Sequence, residues 1–411
     1  MNTRLFKSTL DITIIIGSFL LLIIAFTRIG FNGYGNNINN YSMLRSWQEM
    51  LANGIYVPSR FQGNLPSELI LGSLAAIWGP VGSNSFSFIL SILSLVLAYR
   101  LFRKIESDPI KIGLALATVA VNPFWVEAST TSMDYIHPIP FFLAGILLVQ
   151  NRIPIIAAIF FAVAGGMRIS YAPLGFGALL FALYMDSDKQ QRNIILQSML
   201  VYIVFISMIY LPVFISTHLQ LSFLSSARPV WQGLLGLIAR FSYKTIYLYG
   251  VIGTIIVFIS LVLPLRRRKV ADYKSVRDDK LIFYKLCAAF IIFHLLLFLY
   301  IPVRIEYLIP VLLAFAGIFI ARDVHNALLL ALVIAEVSYW FVSIDLLEVR
   351  HMNADPCAAV VAVEASFKPH LGQGVLVDEL TGNTSELLCL PKLLLEQPVD
   401  IRDRLPVPNR R

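Results

Sequence analysis

Residues 66–80 read PSELILGSLAAIWGP, and whether this stretch crosses a membrane decides how the rest of the chain is threaded. It is apolar, yet at about fifteen residues it falls short of the ~20 that a helix needs to cross ~30 Å of hydrocarbon. Around it lie about eleven other apolar runs, at 10–28, 83–100, 110–126, 135–149, 153–166, 170–185, 194–216, 245–265, 281–302, 306–321 and 327–343. The cations sit between them: Arg4 and Lys7, then Arg100, Arg103, Lys104 and Lys111, then Arg152, Lys189 and Arg192, Arg266 to Lys269, and Arg322. With 66–80 left out of the count and the N terminus in the cytoplasm, every cluster falls on the cytoplasmic side, as the positive-inside tendency requires. Counting 66–80 as a span would move Arg100, Arg103 and Lys104 outside. The stretch is therefore expected as a helix lying in the outer interface, and SMLRSWQEMLA, residues 42–52, as a second. In the latter Met43, Trp47 and Met50 or Leu51 share one face, with Arg45, Gln48 and Glu49 on the other.

Composition agrees. Over 411 residues the chain is 57% hydrophobic and 14% charged, with a mean hydropathy of +0.74, well outside the range of a soluble domain. The formal charge of +8 lies in short clusters between apolar runs, the pattern of topogenic signals, and this excludes nucleic acid as a partner. The first run has a basic start but no small-residue cleavage site after it, so it is expected to be retained as a span. The expected fold is an all-α polytopic membrane protein with about eleven transmembrane helices. Residues 1–343 form the transmembrane domain, 29–82 being an outer loop that carries the two interfacial helices. Residues 344–411 form a small external segment of α/β character, with a strand-like run at Val375–Asp378. Cys287 reads as a packing residue inside a span. Cys357 and Cys389 share the external tail, where they either pair or stay free, and Asn383-Thr-Ser385 fits a glycosylation sequon.

The chemistry gathers on one leaflet. GIYVPSRFQGNLPSE, residues 54–68, is a polar, proline-punctuated loop of a length that is usually functional at a membrane surface. Near the outer ends of the runs lie Arg60 and Glu68, Glu127 and Asp134, Arg168, and Arg304 with Glu306. An ionisable group at membrane depth is costly, so each is a functional candidate. The arginines can clamp a phosphate bidentately. The carboxylates can act as a base or hold a divalent cation such as Mg or Mn, for which no ligand set is assigned. His137 lies one helical turn after Asp134, and orienting that acid or merely packing are both open roles. Glu127 and Glu306 are supporting candidates, Glu306 as a partner for Arg304. Glu336, deep in the last run, is expected to pair within the bundle, away from this group.

These segments resemble the GT-C class of polytopic glycosyltransferases that use lipid-phosphate sugars, in the protein mannosyltransferase-like and aminoarabinose transferase-like group. The resemblance is carried by GIYVPSRFQGNLPSE with Trp78-Gly79-Pro80, by Asn122-Pro-Phe-Trp125 with Asp134, by Gly165-Gly-Met-Arg168, and by Arg304-Ile-Glu-Tyr307-Leu-Ile-Pro310. It covers about the first 320 residues. It implies two outer-surface helices after the first span, a polyprenyl-phosphate-linked sugar as donor, and inversion at the anomeric carbon. It also implies a glycan, lipid or protein acceptor at the outer face of a bacterial cytoplasmic membrane. The family's acid just after the first span has no counterpart, since residues 35–41 read GNNINNY. Either Glu68, Glu49 or Asp134 then supplies the base, Asp134 with Glu68 being favoured, or the chemistry differs or is lost; the donor phosphate is expected on Arg168, Arg304 and Arg60, with His137, Glu127, Glu306 and Tyr307 in support. The alternatives are a lipid or lipid-glycan transporter, and a polysaccharide polymerase or ligase.

Overall fold

The computed structural model describes residues 3–31, 33–35, 38–60, 62–217, 238, 241–242, 244–262, 274–300, 305–340, 343–348 and 361–366. Arg304, the Arg266 to Lys269 run, Cys357, Cys389, Asn383 and the strand expected at Val375–Asp378 lie outside the described residues.

The chain is built of helices: α1 Thr3–Ile29, α2 Ile38–Asn53, α3 Leu65–Arg103, α4 Pro109–Ala120, α5 Pro123–Thr130, α6 Pro138–Gln150, α7 Pro154–Met167, α8 Tyr171–Met185, α9 Lys189–Ser216, α10 Gly250–Val262, α11 Lys274–Tyr300, α12 Ile309–Ala321 after a 3-10 turn at Ile305–Leu308, and α13 Asn326–Tyr339. A two-stranded antiparallel ribbon, β1 Ser343–Glu348 with β2 Val361–Ser366, follows. Proline opens many of the helices because its missing N–H falls where no helical partner exists. Before Pro109, Asp108 Oδ1 accepts from the N–H of Ile110 at 2.9 Å. Before Pro123, Asn122 Oδ1 accepts from Phe124 at 3.1 Å.

Four helices are long and apolar enough to cross a membrane, Thr9–Ile29, Leu65–Arg103, Lys189–Ser216 and Asp279–Tyr300, and a fifth crossing results if α4 and α5 form one span. The remaining apolar helices have 10–17 residues, or ~15–25 Å at 1.5 Å per residue, against ~30 Å of hydrocarbon. Within the described residues each expected apolar run is largely helical, while the number of crossings does not follow from helix length. Long apolar stripes face outward, as on α9 with Leu200, Met208, Leu211 and Ile215 exposed, which is the surface a hydrocarbon solvent requires.

One expected helix is found and two expectations are corrected. Residues 66–80 hold a helix of their own: Leu65–Arg103 is two helices that meet at a kink, where Gly79 has non-helical φ 62°, ψ −150° before Pro80. Gly79 adopts a left-handed φ that a side chain resists, and Pro80 removes a helical N–H. The run 110–126 is not straight, because Asn122-Pro123 ends α4 and starts α5 with a 71° bend. Helix α2 starts four residues before Ser42, and Leu51 faces outward. Trp47 lies on α3 instead, so close that a Cβ at Gly72 would stand 2.1 Å from its Cγ.

The core is one large cluster of apolar side chains, with Trp125, Tyr135, Phe161 and Phe319 fully buried, beside two small ones around Met43 with Leu71 and around Val121 with Val333. Helix α3 packs against α2, α4, α5, α6, α7 and α9, so its first turns join the outer loop to the bundle.

Candidate functional site

The loop after α2 is fixed at both ends. Gly54, with φ +64°, caps α2 by donating to Met50 O at 3.0 Å, and Ser46 Oγ donates to Val57 O at 2.6 Å. Glu68, fully buried in the first turn of α3, gathers the loop onto itself. Its Oε2 accepts from Tyr56 Oη at 2.6 Å, and its Oε1 accepts from Ser59 N at 2.9 Å and from Ser59 Oγ. Gly63, at φ +66°, turns the chain where a Cβ would meet Val213 at 2.6 Å and Tyr56 Oη at 2.8 Å.

This folding delivers Arg60 to Asp134. The two guanidinium NH2 groups of Arg60 donate to the two carboxylate oxygens at 3.0 and 2.9 Å, a bidentate pair spanning 74 positions of sequence. Asn64 Nδ2 donates to Asp134 Oδ2 at 3.0 Å, and Arg168, which ends α7 in extended conformation, donates to the same oxygen at 3.4 Å. Asp134 is fully buried, and both arginine side chains are about 12% exposed. The Arg168 guanidinium also lies over two rings, 4.1 Å from the centroid of Tyr135 and 5.0 Å from that of Tyr307.

The turn carrying Asp134 is itself built in. Ser132 N donates to Tyr34 O at 3.2 Å and Ser132 Oγ to Asn84 Oδ1 at 2.7 Å, while Asn84 Nδ2 donates to Gly30 O and Gly33 O at 3.0 and 2.6 Å. At the start of α2, Asn40 Nδ2 donates to Tyr34 O at 2.6 Å. That asparagine shapes the link between α1 and α2.

Burial would raise the Asp134 carboxyl, but Arg60 and then Arg168 outweigh it and hold the group below the usual carboxylate range. The Arg60 guanidinium, which burial alone would weaken, is held more firmly charged by Asp134. Two guanidiniums meet one carboxylate here, with Glu306 acting on Tyr135 at the edge. In the same cluster Arg60 Nε, Asn64 Oδ1 and Tyr135 Oη are buried without a hydrogen-bond partner among the described residues.

The expected residues divide accordingly. Asp134, Arg60 and Arg168 meet in one cluster, with Tyr307 on its edge. Glu68 does not join it and holds the loop instead. The His137 ring is not bonded to the Asp134 carboxylate: its Nε2 lies 3.0 Å from Ser87 Oγ and its Nδ1 3.1 Å from Ser67 Oγ, both on α3. Glu306 lies in the 3-10 turn within electrostatic range of Tyr135. Glu127 offers its backbone carbonyl to Thr131 Oγ1 at 2.8 Å. Glu336 is paired within the bundle, though with the amide of Asn122 at 2.9 Å. Asn64 and Tyr135 are the members that sequence reasoning missed. Both adjoin quoted motifs, but neither type announces a role until the fold brings positions 60, 64, 134 and 168 together.

Among the described residues no three His, Cys, Asp or Glu side chains converge, and the carboxylate that would bind a divalent cation already carries two guanidiniums. Compared with protein-family models, curated proteins and solved structures, the chain matches none.

Proposed function

We propose that this chain is a membrane glycosyltransferase that moves a sugar from a polyprenyl-phosphate carrier to an acceptor hydroxyl at the membrane face bearing residues 54–64. The observation that carries the reading is the cluster itself. Arg60 and Arg168, both mostly buried, converge on one carboxylate, with Arg60 Nε and Tyr135 Oη unpartnered among the described residues beside them. A phosphate supplies the acceptor oxygens that these groups lack, and planar guanidiniums engage two of them at once. Asp134 orients both guanidiniums while the site is empty. When the donor phosphate takes over part of their charge, the carboxylate becomes a stronger base. It then accepts the proton of the acceptor hydroxyl as that oxygen attacks the anomeric carbon, and the carbon–oxygen bond to the carrier phosphate breaks. By the resemblance, Arg304 adds to the phosphate clamp and the displacement inverts the anomeric centre.

A second reading, transport of a lipid-linked glycan, draws on the 71° break between α4 and α5 and the buried Glu336 beside it. Purified chain in proteoliposomes, offered a panel of polyprenyl-phosphate sugars with candidate glycan, lipid and protein acceptors, distinguishes the two by lipid mass spectrometry. Release of free polyprenyl phosphate, lowered ~10²- to 10⁴-fold per folded molecule in Asp134→Asn, is the expected result. Intact donor moved across the bilayer, with no release, would replace transfer by transport.

A further inference from the structure

The break between α4 and α5 is gripped from α13. Ending α4 inside the bundle frees backbone carbonyls that need partners there. Trp340 Nε1, at the end of α13, donates to Val121 O at 2.7 Å. One helical turn earlier on the same face, Glu336 Oε2 accepts from Asn122 Nδ2 at 2.9 Å, and the same Nδ2 donates to Leu248 O at 2.8 Å. The Oδ1 of Asn122 meanwhile caps α5. One side chain therefore ties three elements together.

Glu336 is fully buried, and its other oxygen, Oε1, has no hydrogen-bond partner among the described residues. The backbone of α10 comes close on that side, where a Cβ at Gly253 would stand 3.2 Å from Oε1. Among the described residues, the titratable group facing the carboxyl is Tyr249, ahead of α10, and no charged side chain of α1, α4, α5 or α10 acts on it. A buried carboxylate without a cation beside it is costly, whereas a carboxylic acid is far less so.

We propose that Glu336 is a proton-binding site whose occupancy sets how firmly α13 holds the α4–α5 break through Asn122. At rest the carboxyl carries the proton on the oxygen facing Gly253. Release of that proton to water leaves a carboxylate, and the hydrogen bond from Asn122 becomes charge-assisted and shorter. The inference stands apart from the arginine cluster and from whatever that cluster binds.

Dicyclohexylcarbodiimide tests it, since this hydrophobic reagent adds only to protonated carboxyls. The acid proton passes to a carbodiimide nitrogen, the carboxylate oxygen bonds to the central carbon, and the adduct rearranges to a stable N-acylurea. Full-length chain in membranes is treated over a range of pH and the adduct mapped by peptide mass spectrometry. The expected result is modification at Glu336 that declines as pH rises and is lost in Glu336→Gln. In Asn122→Ser, which keeps a cap for α5 but lacks the amide donor, the decline moves to higher pH. An unmodified Glu336 at every pH would mean an ionised, paired carboxylate and would overturn the proposal. An unshifted decline in Asn122→Ser would overturn the link to the break. The wild-type map decides the first point even if Glu336→Gln fails to accumulate.

Discussion

Asp134 accepts hydrogen bonds from Arg60, Asn64 and Arg168, and its removal leaves buried guanidiniums without their counter-charge. Asp134→Asn is expected to destabilise the folded chain by ~3–5 kcal/mol, the range for breaking a buried pair, measured by thermal unfolding in detergent. The same carboxyl gives a pH dependence of known sign. Its folded value lies below the ordinary one, so its stabilisation is complete above the ~3.9 of an unfolded aspartate and is lost as pH falls through the lower folded value. Wild type should therefore weaken below about pH 4, and Asp134→Asn should lack that share of the acid sensitivity. Glu68 makes a separate prediction. Glu68→Ala strips Tyr56 Oη and Ser59 of their acceptor, at ~1–3 kcal/mol, and should open residues 54–63 to protease while the helices stay protected. Unchanged cleavage would show that Ser46 and Gly63 hold the loop unaided. The charged members of the cluster were legible in the sequence as ionisable groups at the ends of apolar runs. Their pairing was not, because no local pattern links positions 60 and 134, and Glu68 gave no sign that Tyr56 and Ser59 would fill its oxygens.

At the scale of elements, the apolar runs located the helices and punctuation located their ends. Asn122-Pro123 is a cap followed by a proline, a helix-start signal. It was submerged in the hydropathy of 110–126, and for that reason the bend was not expected. Residues 66–80 show punctuation at work: Gly79-Pro80 reads as a helix end, and one helix ends there at a kink before a second begins. The amphipathic face of α2 was legible, but its partner was not. Gly72 supplies that contact by leaving room for Trp47. Gly72→Val should cost ~1–3 kcal/mol by overpacking and shift the Trp47 emission toward that of a solvated indole. A shift that persists when Trp47 is replaced by Phe would assign the change to another tryptophan.

Among the described residues, ion pairs lie near both ends of α3. Arg60, Asp134 and Arg168 gather at the first turns of α3, while beyond its last residue Glu106 pairs with Lys280 at 3.1 Å and Lys111 pairs with Asp323. If the positive-inside tendency governs insertion, the loop at 54–64 faces outward. In a chain whose Cys287, Cys357 and Cys389 are serine, a cysteine at exposed Ile55 should react with an impermeant thiol reagent in intact cells. One at Lys189 should react only after the membrane is opened. The reverse pattern would invert the topology. The account as a whole depends on whether the arginine cluster holds a lipid phosphate. The most direct measurement is native mass spectrometry of the purified chain with a polyprenyl phosphate and with the polyprenol of the same length. The account predicts retention of the phosphate over the alcohol, with the preference lost in Arg168→Gln. Equal retention of both lipids by the wild-type chain would contradict it.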